Sequence, residues 1–386
     1  MFRRVVPPAT IGMFGGGQLG RYALLSAKTM GYKTLVLDPD PSCPAGVVAD
    51  EHLVASYDDP HALERLSFDC DIVTTEFENP PADALDKLAE TVLVQPSAAA
   101  VRIAQDRIAE KSFLVANGFP IGEYSVLDDA TVGSEASVPT PPLDVALVDS
   151  GAVVKTARLG YDGKGQRRVR GVAEVHAAWA ELGGAACVVE RVLDLDTELS
   201  VIVARTADGR TEPWAVAENS HVDGILDLSV VPAAVDPPTI DRATGLAMAI
   251  ADALGYVGVL AVELFMVDGE LLVNEIAPRP HNSGHWTLDG SATSQFEQQI
   301  RAICGVGLGD TSMTTPAIAM VNLLGDLWAG GAPDWTSVLN DPRAKLHLYG
   351  KSEPRPGRKM GHLCVLSSVA TEAASRALDL REGVSQ

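Results

Sequence analysis

Residues Val257 to Trp286 read VGVLAVELFMVDGELLVNEIAPRPHNSGHW. The apolar run Val257–Met266 carries one carboxylate, Glu263; the turn pair Asp268-Gly269 follows; a second run, Leu271–Ile276, carries Glu275. Two such runs about Asp-Gly predict a β-hairpin. A lone carboxylate in an apolar strand costs several kcal/mol to bury unless something pairs with it. Two on adjacent strands predict a shared cation, and hard oxygen donors in so small a number describe magnesium held jointly with substrate phosphates. The competing reading is an edge hairpin with solvated glutamates. The register is a strict condition. A plain two-residue loop pairs Glu263 with Asn274 and turns Glu275 to the other face, so the metal reading requires an odd loop or a bulge. Arg279, His281, Asn282 and His285 follow at once, a dense group of anion-binding and hydrogen-bonding side chains.

The 386 residues predict two or three domains, and 46% hydrophobic residues with a mean hydropathy of +0.11 describe an ordinary globular chain. A formal charge of −21 argues against nucleic acid and anionic membranes as partners and makes any local basic cluster informative. Five scattered cysteines without a CxxC fit reduced structural thiols in a cytoplasm and neither a zinc site nor a disulfide framework. MFRRVVPPAT lacks the apolar core of a signal peptide, and no apolar run approaches a membrane span. The expectation is a soluble cytoplasmic protein.

Ala9–Phe14 predicts a strand running into Gly15-Gly16-Gly17-Gln18-Leu19-Gly20, then a helix over Arg21–Met30 and a strand over Lys33–Leu37 ending at Asp38. This βαβ unit matches the GxGxxG dinucleotide fingerprint with an acid about twenty residues on, which makes an NAD-linked oxidoreductase the first enzyme hypothesis. The motif alone is weak, since any Gly-rich strand-to-helix turn opens an anion site on exposed N–H groups. Further strands at Ile72–Thr75 and Val92–Val94 complete an α/β domain to residue 105. Glu76 and Glu78 sit just past the Ile72–Thr75 strand, where ligands lie in open parallel sheets.

A helix over Asp106–Asn117 follows, then strands at Tyr124–Leu127 and Val153–Lys155, with the Ser/Thr/Pro-rich run Asp128–Leu143 between them as a surface loop. Gly160-Tyr161-Asp162-Gly163-Lys164-Gly165-Gln166 is a second glycine-rich loop, suited with Lys155 and Lys164 to polyphosphate, or else a mobile hairpin tip. Val188–Leu193 and Leu199–Val203 read as strands, Arg242–Leu254 as a helix packed behind the hairpin, Gln295–Cys304 as a helix and Ala317–Leu324 as a strand. Near the end, Lys351, Arg355, Arg358 and Lys359 form a basic cluster stiffened by Gly and Pro, which predicts a phosphate site over a merely solvated face.

Lys155, the glycine-rich loop, Glu190-x-x-Leu193, Glu198 and Glu263…Asn274-Glu275, in that order, resemble the ATP-grasp superfamily. GGGQLGR, GYDGKGQ, NEIAPRPHNSGHWT and the closing GK…RPGRKMGH resemble one family within it, the 5-(carboxyamino)imidazole ribonucleotide synthases of purine biosynthesis. The likeness covers nearly the whole chain except Asp128–Leu143. It implies an α/β architecture, the ATP-grasp fold: an N-terminal Rossmann-like (pre-ATP-grasp) domain over 1–105, a small lid domain over 106–189, and a larger α+β domain over 190–386. It further implies that bicarbonate is joined to the amine of 5-aminoimidazole ribonucleotide, with ATP consumed through carboxyphosphate.

Residue by residue, the resemblance places Arg107 and Lys155 on ATP phosphates and Gly160–Gln166, including Gly163, Lys164 and Gly165, over them. Glu190, Arg191, Val192 and Leu193 would meet adenine, and Glu198 the ribose. His221 and Asn274 would complete the nucleotide site, and Glu263 and Glu275 would hold magnesium, two ions on the family pattern. The ribonucleotide would lie against Gly17, Gln18, Leu19, Glu76, Asn282, Ser283 and His285, with Lys351 and Arg358 on its phosphate. Tyr161, Asp162, Arg279 and His281 would surround bicarbonate and amine. A homodimer is implied, and a mutase on a separate chain to take the product. Leu159 departs from the glycine of some relatives, and Ala277 from the asparagine common in the wider superfamily. Three other readings remain: a formate-using purine transferase, the dehydrogenase, and a non-catalytic nucleotide sensor.

Overall fold

The computed structural model describes residues 4–128, 143–160 and 165–384. Three sheets are formed among the described residues. The first is wholly parallel, from β1 (Thr10–Phe14), β2 (Lys33–Leu37), β3 (Glu51–Leu53), β4 (Ile72–Thr75) and β5 (Leu93–Val94), in the order β3-β2-β1-β4-β5. The strand order reverses at β1, so a ligand crevice opens between β1 and β4. The helix after β1 spans Gln18–Thr29, three residues earlier at its start than the periodicity suggested. Gly20 lies inside it, where a Cβ would come 3.0 Å from the carbonyl of Gly15 and 3.1 Å from Cγ of Glu76. Only glycine lets the helix start that close to the strand ends.

A small antiparallel sheet follows, β6 (Tyr124–Leu127), β7 (Ala152–Thr156), β8 (Gln166–Val169) and β9 (Cys187–Arg191), ordered β6-β9-β7-β8. β9 runs to Arg191, so the expected division after residue 189 falls inside a strand. The helix Arg107–Ala116 precedes this sheet, capped by the Asp106 carboxylate on the N–H groups of Ile108 and Ala109.

The largest sheet takes β10 (Thr197–Arg205), β11 (Thr211–Pro213), β12 (Ala217–Val222), β13 (Ile225–Val231), β14 (Gly258–Val267), β15 (Glu270–Ala277), β16 (Ala317–Leu324), β17 (Ala344–Leu348) and β18 (Lys359–Ser367). Its order is β15-β14-β10-β12-β13-β16-β18-β17, with β11 on β10. The helix Pro237–Ala253 covers one face, where Ala243, Ala247 and Ile250 meet Val201, Val203, Val262 and Leu264 in a buried cluster. A second cluster joins the parallel sheet and its Gln18–Thr29 helix to the helix Gln295–Ile303 through Leu19, Tyr22, Ala23, Phe296 and Ile300. All five cysteines are buried and unbridged. Among the described residues no helix is long and apolar enough to cross a membrane.

Candidate active site

The hairpin β14–β15 satisfies its condition by a bulge. Val267 pairs with Glu270 across Asp268-Gly269, whose φ values of 51° and 76° are those of a type I′ turn. The plain register would continue to Glu263–Asn274, but it shifts between Glu263 and Leu264, so that Leu264 opposes Val273 and Glu263 opposes Glu275. Asn274 is the extra residue. Leu271 and Val273 stay in the core, and Glu275 is moved to the face of Glu263. Ser200 of β10 lies opposite Glu263 on its other side.

That face floors a cavity of about 640 Å³. Its walls come from all three sheets: Gln18, Leu19 and Glu76 at one end, Lys155 and Glu190–Leu193 at the other, and Glu263, Asn274 and Glu275 between. Arg107, Gly160, Gly165, Gln166, Glu198, His221, Arg279, His281 and Asn282 also line it. Tyr161, Asp162, Gly163 and Lys164 lie outside the described residues. Gly17, Ser283, His285, Lys351 and Arg358 are not among the residues that line the cavity.

Ser283 is buried and orients His281. A hydrogen-bonded chain runs from His281 Nδ1 to Ser283 Oγ (2.9 Å), on to Ser200 Oγ (2.8 Å), Asn219 Nδ2 (2.8 Å) and Ser229 Oγ (2.7 Å, to Asn219 Oδ1). The Gln295 amide clamps the same histidine's backbone, accepting from its N–H at 2.8 Å and donating to its carbonyl at 2.7 Å. His281 Nε2 is thereby aimed at Glu263, 3.2 Å away. Burial raises the Glu263 carboxyl, but the bond from His281 and its charge prevail and hold it low, so it stays ionised.

The two cations expected on nucleotide phosphates are held by carboxylates. Arg107 Nη1 lies 2.9 Å from Glu275, and Lys155 Nζ lies 2.6 Å from Glu190. Lys111, which the sequence reading passed over, meets the other Glu190 oxygen at 3.0 Å. It stands one helical turn after Arg107, so helical spacing places both on one face. Burial raises the Glu190 carboxyl, yet the ammonium groups of Lys155 and then Lys111 overcome this and bring it down to about 2. A carboxyl depressed in the fold contributes stability that is present above its unfolded value and lost as pH falls through the folded value. Wild-type chain should therefore lose stability as pH drops from the ordinary glutamate range towards 2. Glu190→Gln should be less stable near neutral pH, because Lys111 is left buried without its counter-charge, and should lose less on acidification. Urea unfolding at pH 7 and pH 3 checks this; equal losses in both chains would remove the ion-pair account.

At the other end, Glu76 Oε1 accepts from Gly17 N–H at 3.0 Å and Oε2 from Gly20 N–H at 3.1 Å. The Asp38 carboxylate takes Gly16 N–H at 2.7 Å and Tyr57 Oη at 2.6 Å. The anion hole of the glycine loop is thus filled by the protein's own carboxylates, which removes the place for a dinucleotide pyrophosphate. The dehydrogenase reading fails on this ground. Glu78, two residues further along the loop after β4, pairs with Arg279. Among the basic residues near the C-terminus, Lys359 reaches the cavity wall. Lys351 lies over the Tyr349 ring and donates to the Lys359 carbonyl, while Arg358 donates to the Glu353 carbonyl. Their charges bear on Glu76 and Asp40 respectively, beside the glycine loop.

Leu159, at the entry to the second glycine loop, has φ 61° and is exposed. That left-handed backbone is where glycine is at ease, which accounts for the glycine of some relatives. His285 is wholly buried, away from the cavity, with its ring stacked on His362.

Three sheets meeting over a carboxylate-bearing hairpin define an ATP-grasp enzyme. Residues 112–296 match the ATP-grasp domain, residues 8–105 the ribonucleotide synthetase preATP-grasp domain, and residues 318–376 the phosphoribosylaminoimidazole carboxylase C-terminal domain. The N5-carboxyaminoimidazole ribonucleotide synthase of Brucella melitensis is 44% identical over 92% of this chain and 96% of its own length. That of Bacillus subtilis is 43% identical over 95% and 94%. The Staphylococcus aureus N5-carboxyaminoimidazole synthetase complexed with ADP superposes with a TM-score of 0.87 at 34% identity, covering 98% of this chain and 99% of that one. The Aspergillus clavatus N5-carboxyaminoimidazole synthase in complex with ADP and 5-aminoimidazole ribonucleotide gives 0.82 at 30%, over 97% and 99%. The chain belongs to the N5-carboxyaminoimidazole ribonucleotide synthase family, ATP-grasp ligases.

Proposed function

We propose that this enzyme carboxylates 5-aminoimidazole ribonucleotide with bicarbonate, consuming ATP and releasing ADP and phosphate, in purine biosynthesis. The observation that carries this reading is the single cavity joining the glycine loop and Glu76, through the Glu263–Glu275 pair, to Lys155 and the Glu190–Leu193 hinge. One pocket with a nucleotide end and a second-substrate end suits transfer between two bound molecules.

Arg107 and Lys155 take the phosphates by exchanging one anion for another, since each already holds a carboxylate in place. Glu190–Leu193 receive adenine and Glu198 the ribose, with His221 beside Glu198 at 2.9 Å. Glu263, Glu275 and the Asn274 amide offer hard oxygens on one face, a donor set that fits magnesium shared with phosphates. Magnesium bound there neutralises charge along the β,γ-phosphates. Arg279 and His281 orient bicarbonate and the amine at the centre. Carboxyphosphate hydrolyses readily, so the loop over Gly160–Gln166 serves by excluding water. Lys351, Arg358 and Lys359 hold the ribonucleotide phosphate beside the glycine loop. A homodimer, a separate mutase for the product and a cytoplasmic location complete the reading.

The test is ADP release. It should require aminoimidazole ribonucleotide and rise with bicarbonate; release driven by formate, or indifferent to the ribonucleotide, would overturn the assignment. Arg358→Ala should weaken ribonucleotide use by about 1.5–3 kcal/mol, the worth of a hydrogen bond to a charged group. Its KM for ATP should stay put. If both KM values rise together, or neither does, the basic cluster is not the phosphate site.

A further inference from the structure

Behind the cavity wall, where β17 and β18 meet the short helix Thr287–Gly290, lies a second group of side chains with ligating atoms. His347 and His362 are cross-strand partners, and Cys364, two residues on from His362, projects to the same face of β18. Asp289 closes the group from the helix. One ligand atom each of Asp289, His362 and Cys364 lies within 4.8 Å of the others. None of the three lines the substrate cavity.

We propose that Asp289, His362 and Cys364 form a zinc site, distinct from the magnesium carboxylates. Mixed thiolate, imidazole and carboxylate donors are those zinc accepts, and the thiolate disfavours magnesium. The site is buried, with His362 and Cys364 fully inaccessible, so the group is not a chance gathering of surface acids. The His362 ring commits Nδ1 to Tyr349 Oη at 3.0 Å, while its buried Nε2 has no hydrogen-bond partner. An orphaned buried nitrogen is costly, and a metal satisfies it. With zinc on Nε2 the ring proton sits on Nδ1 and donates to the Tyr349 oxygen, the outer-shell bond that usually fixes a ligating histidine. Three atoms so spaced fit on a sphere of at most roughly 2.8 Å radius, against zinc–ligand distances of about 2.0–2.3 Å, so shifts under about 1 Å close the site. Binding displaces the Cys364 thiol proton to solvent.

His347 acts as a positioning residue. Its Nε2 holds Asp289 Oδ2 at 2.8 Å, and its ring stacks on His362 with centroids 4.4 Å apart. His285 stacks on the opposite face of His362 at 4.5 Å. Both Asp289 and His347 keep a little exposed surface, which leaves a water a way in as the fourth ligand. A metal here ties β18, whose first residue Lys359 lines the substrate cavity, to the helix Thr287–Gly290, a few residues along the chain from His281.

The full chain, purified from zinc-supplemented cells, should hold about one zinc per molecule. Stripped by chelator and given cobalt, it should show a thiolate-to-cobalt charge-transfer band. Cobalt on Glu263 and Glu275 lacks a sulfur ligand and gives no such band. Cys364→Ser, nearly isosteric and so least disruptive to folding, should lose both the zinc and the band. Restoring zinc should raise the melting temperature of the stripped wild type and leave that of Cys364→Ser unchanged. The proposal is overturned if the wild type neither retains zinc nor gives the band, or if the band survives in Cys364→Ser.

Discussion

Glu275→Gln is expected to abolish turnover in a chain that still folds. The substitution preserves volume and leaves an oxygen for the Arg107 guanidinium, now 2.9 Å from the carboxylate. What disappears is one of the two charges that the bulge brings to a single face. Lewis-acid stabilisation of phosphoryl transfer is worth several kcal/mol, so turnover should fall by about 10³-fold or more, and extra magnesium should restore little of it. Stability should change far less, because Glu275 keeps about a third of its side-chain surface in the cavity. Turnover with titrated magnesium, alongside urea unfolding, checks both halves. Near-normal activity at ordinary magnesium would retire the metal assignment.

The same hairpin shows how far the sequence could be read. Apolar periodicity, an Asp-Gly turn and two misplaced carboxylates were enough to demand an odd loop or a bulge, because with a plain two-residue loop a period of two turns the second carboxylate to the other face. They did not say where it would fall, and the extra residue proved to be Asn274, opposite no residue of its own. The parallel sheet was legible for the same reason, since strands buried on both faces are continuous apolar runs. β12 and β13 were not. Asn219, Ser220, His221, Asp227 and Ser229 break their alternation, and Asn219 and Ser229 are polar because they complete the chain that aims His281. Lys359–Ser367 was read for its charges alone, yet it forms a strand at the centre of the largest sheet's far half. His285 looked like a ligand residue from its place in HNSGHW, and only tertiary packing reveals that it points into a histidine stack.

Arg279→Met should remove activity and stability together, and a second substitution should separate them. Arg279, whose side chain keeps 14% of its surface exposed, pairs with Glu78 and also feels the charge of Glu76. Burial disfavours its charge, but Glu78 and then Glu76 more than compensate, so the guanidinium stays ionised. Methionine fills the space and leaves the Glu78 carboxylate without its partner. Breaking a buried pair from one side costs about 3–5 kcal/mol, and the partial exposure of Glu78 places this case near 3. Glu76 is affected too: burial already raises its carboxyl, and Arg279 is one of the cations opposing that rise. In Glu78→Gln/Arg279→Met the stranded charge is gone, so most of the lost stability should return. On the proposed role of Arg279, activity should not return, because the cation assigned to orient bicarbonate is still missing. Arg279→Lys should also remain weak, since an ammonium cannot reproduce a planar fork of donors. The measurement is urea unfolding and ADP release on the wild type, both single variants and the double. Recovery of activity in step with stability would show that Arg279 serves the fold and not the reaction.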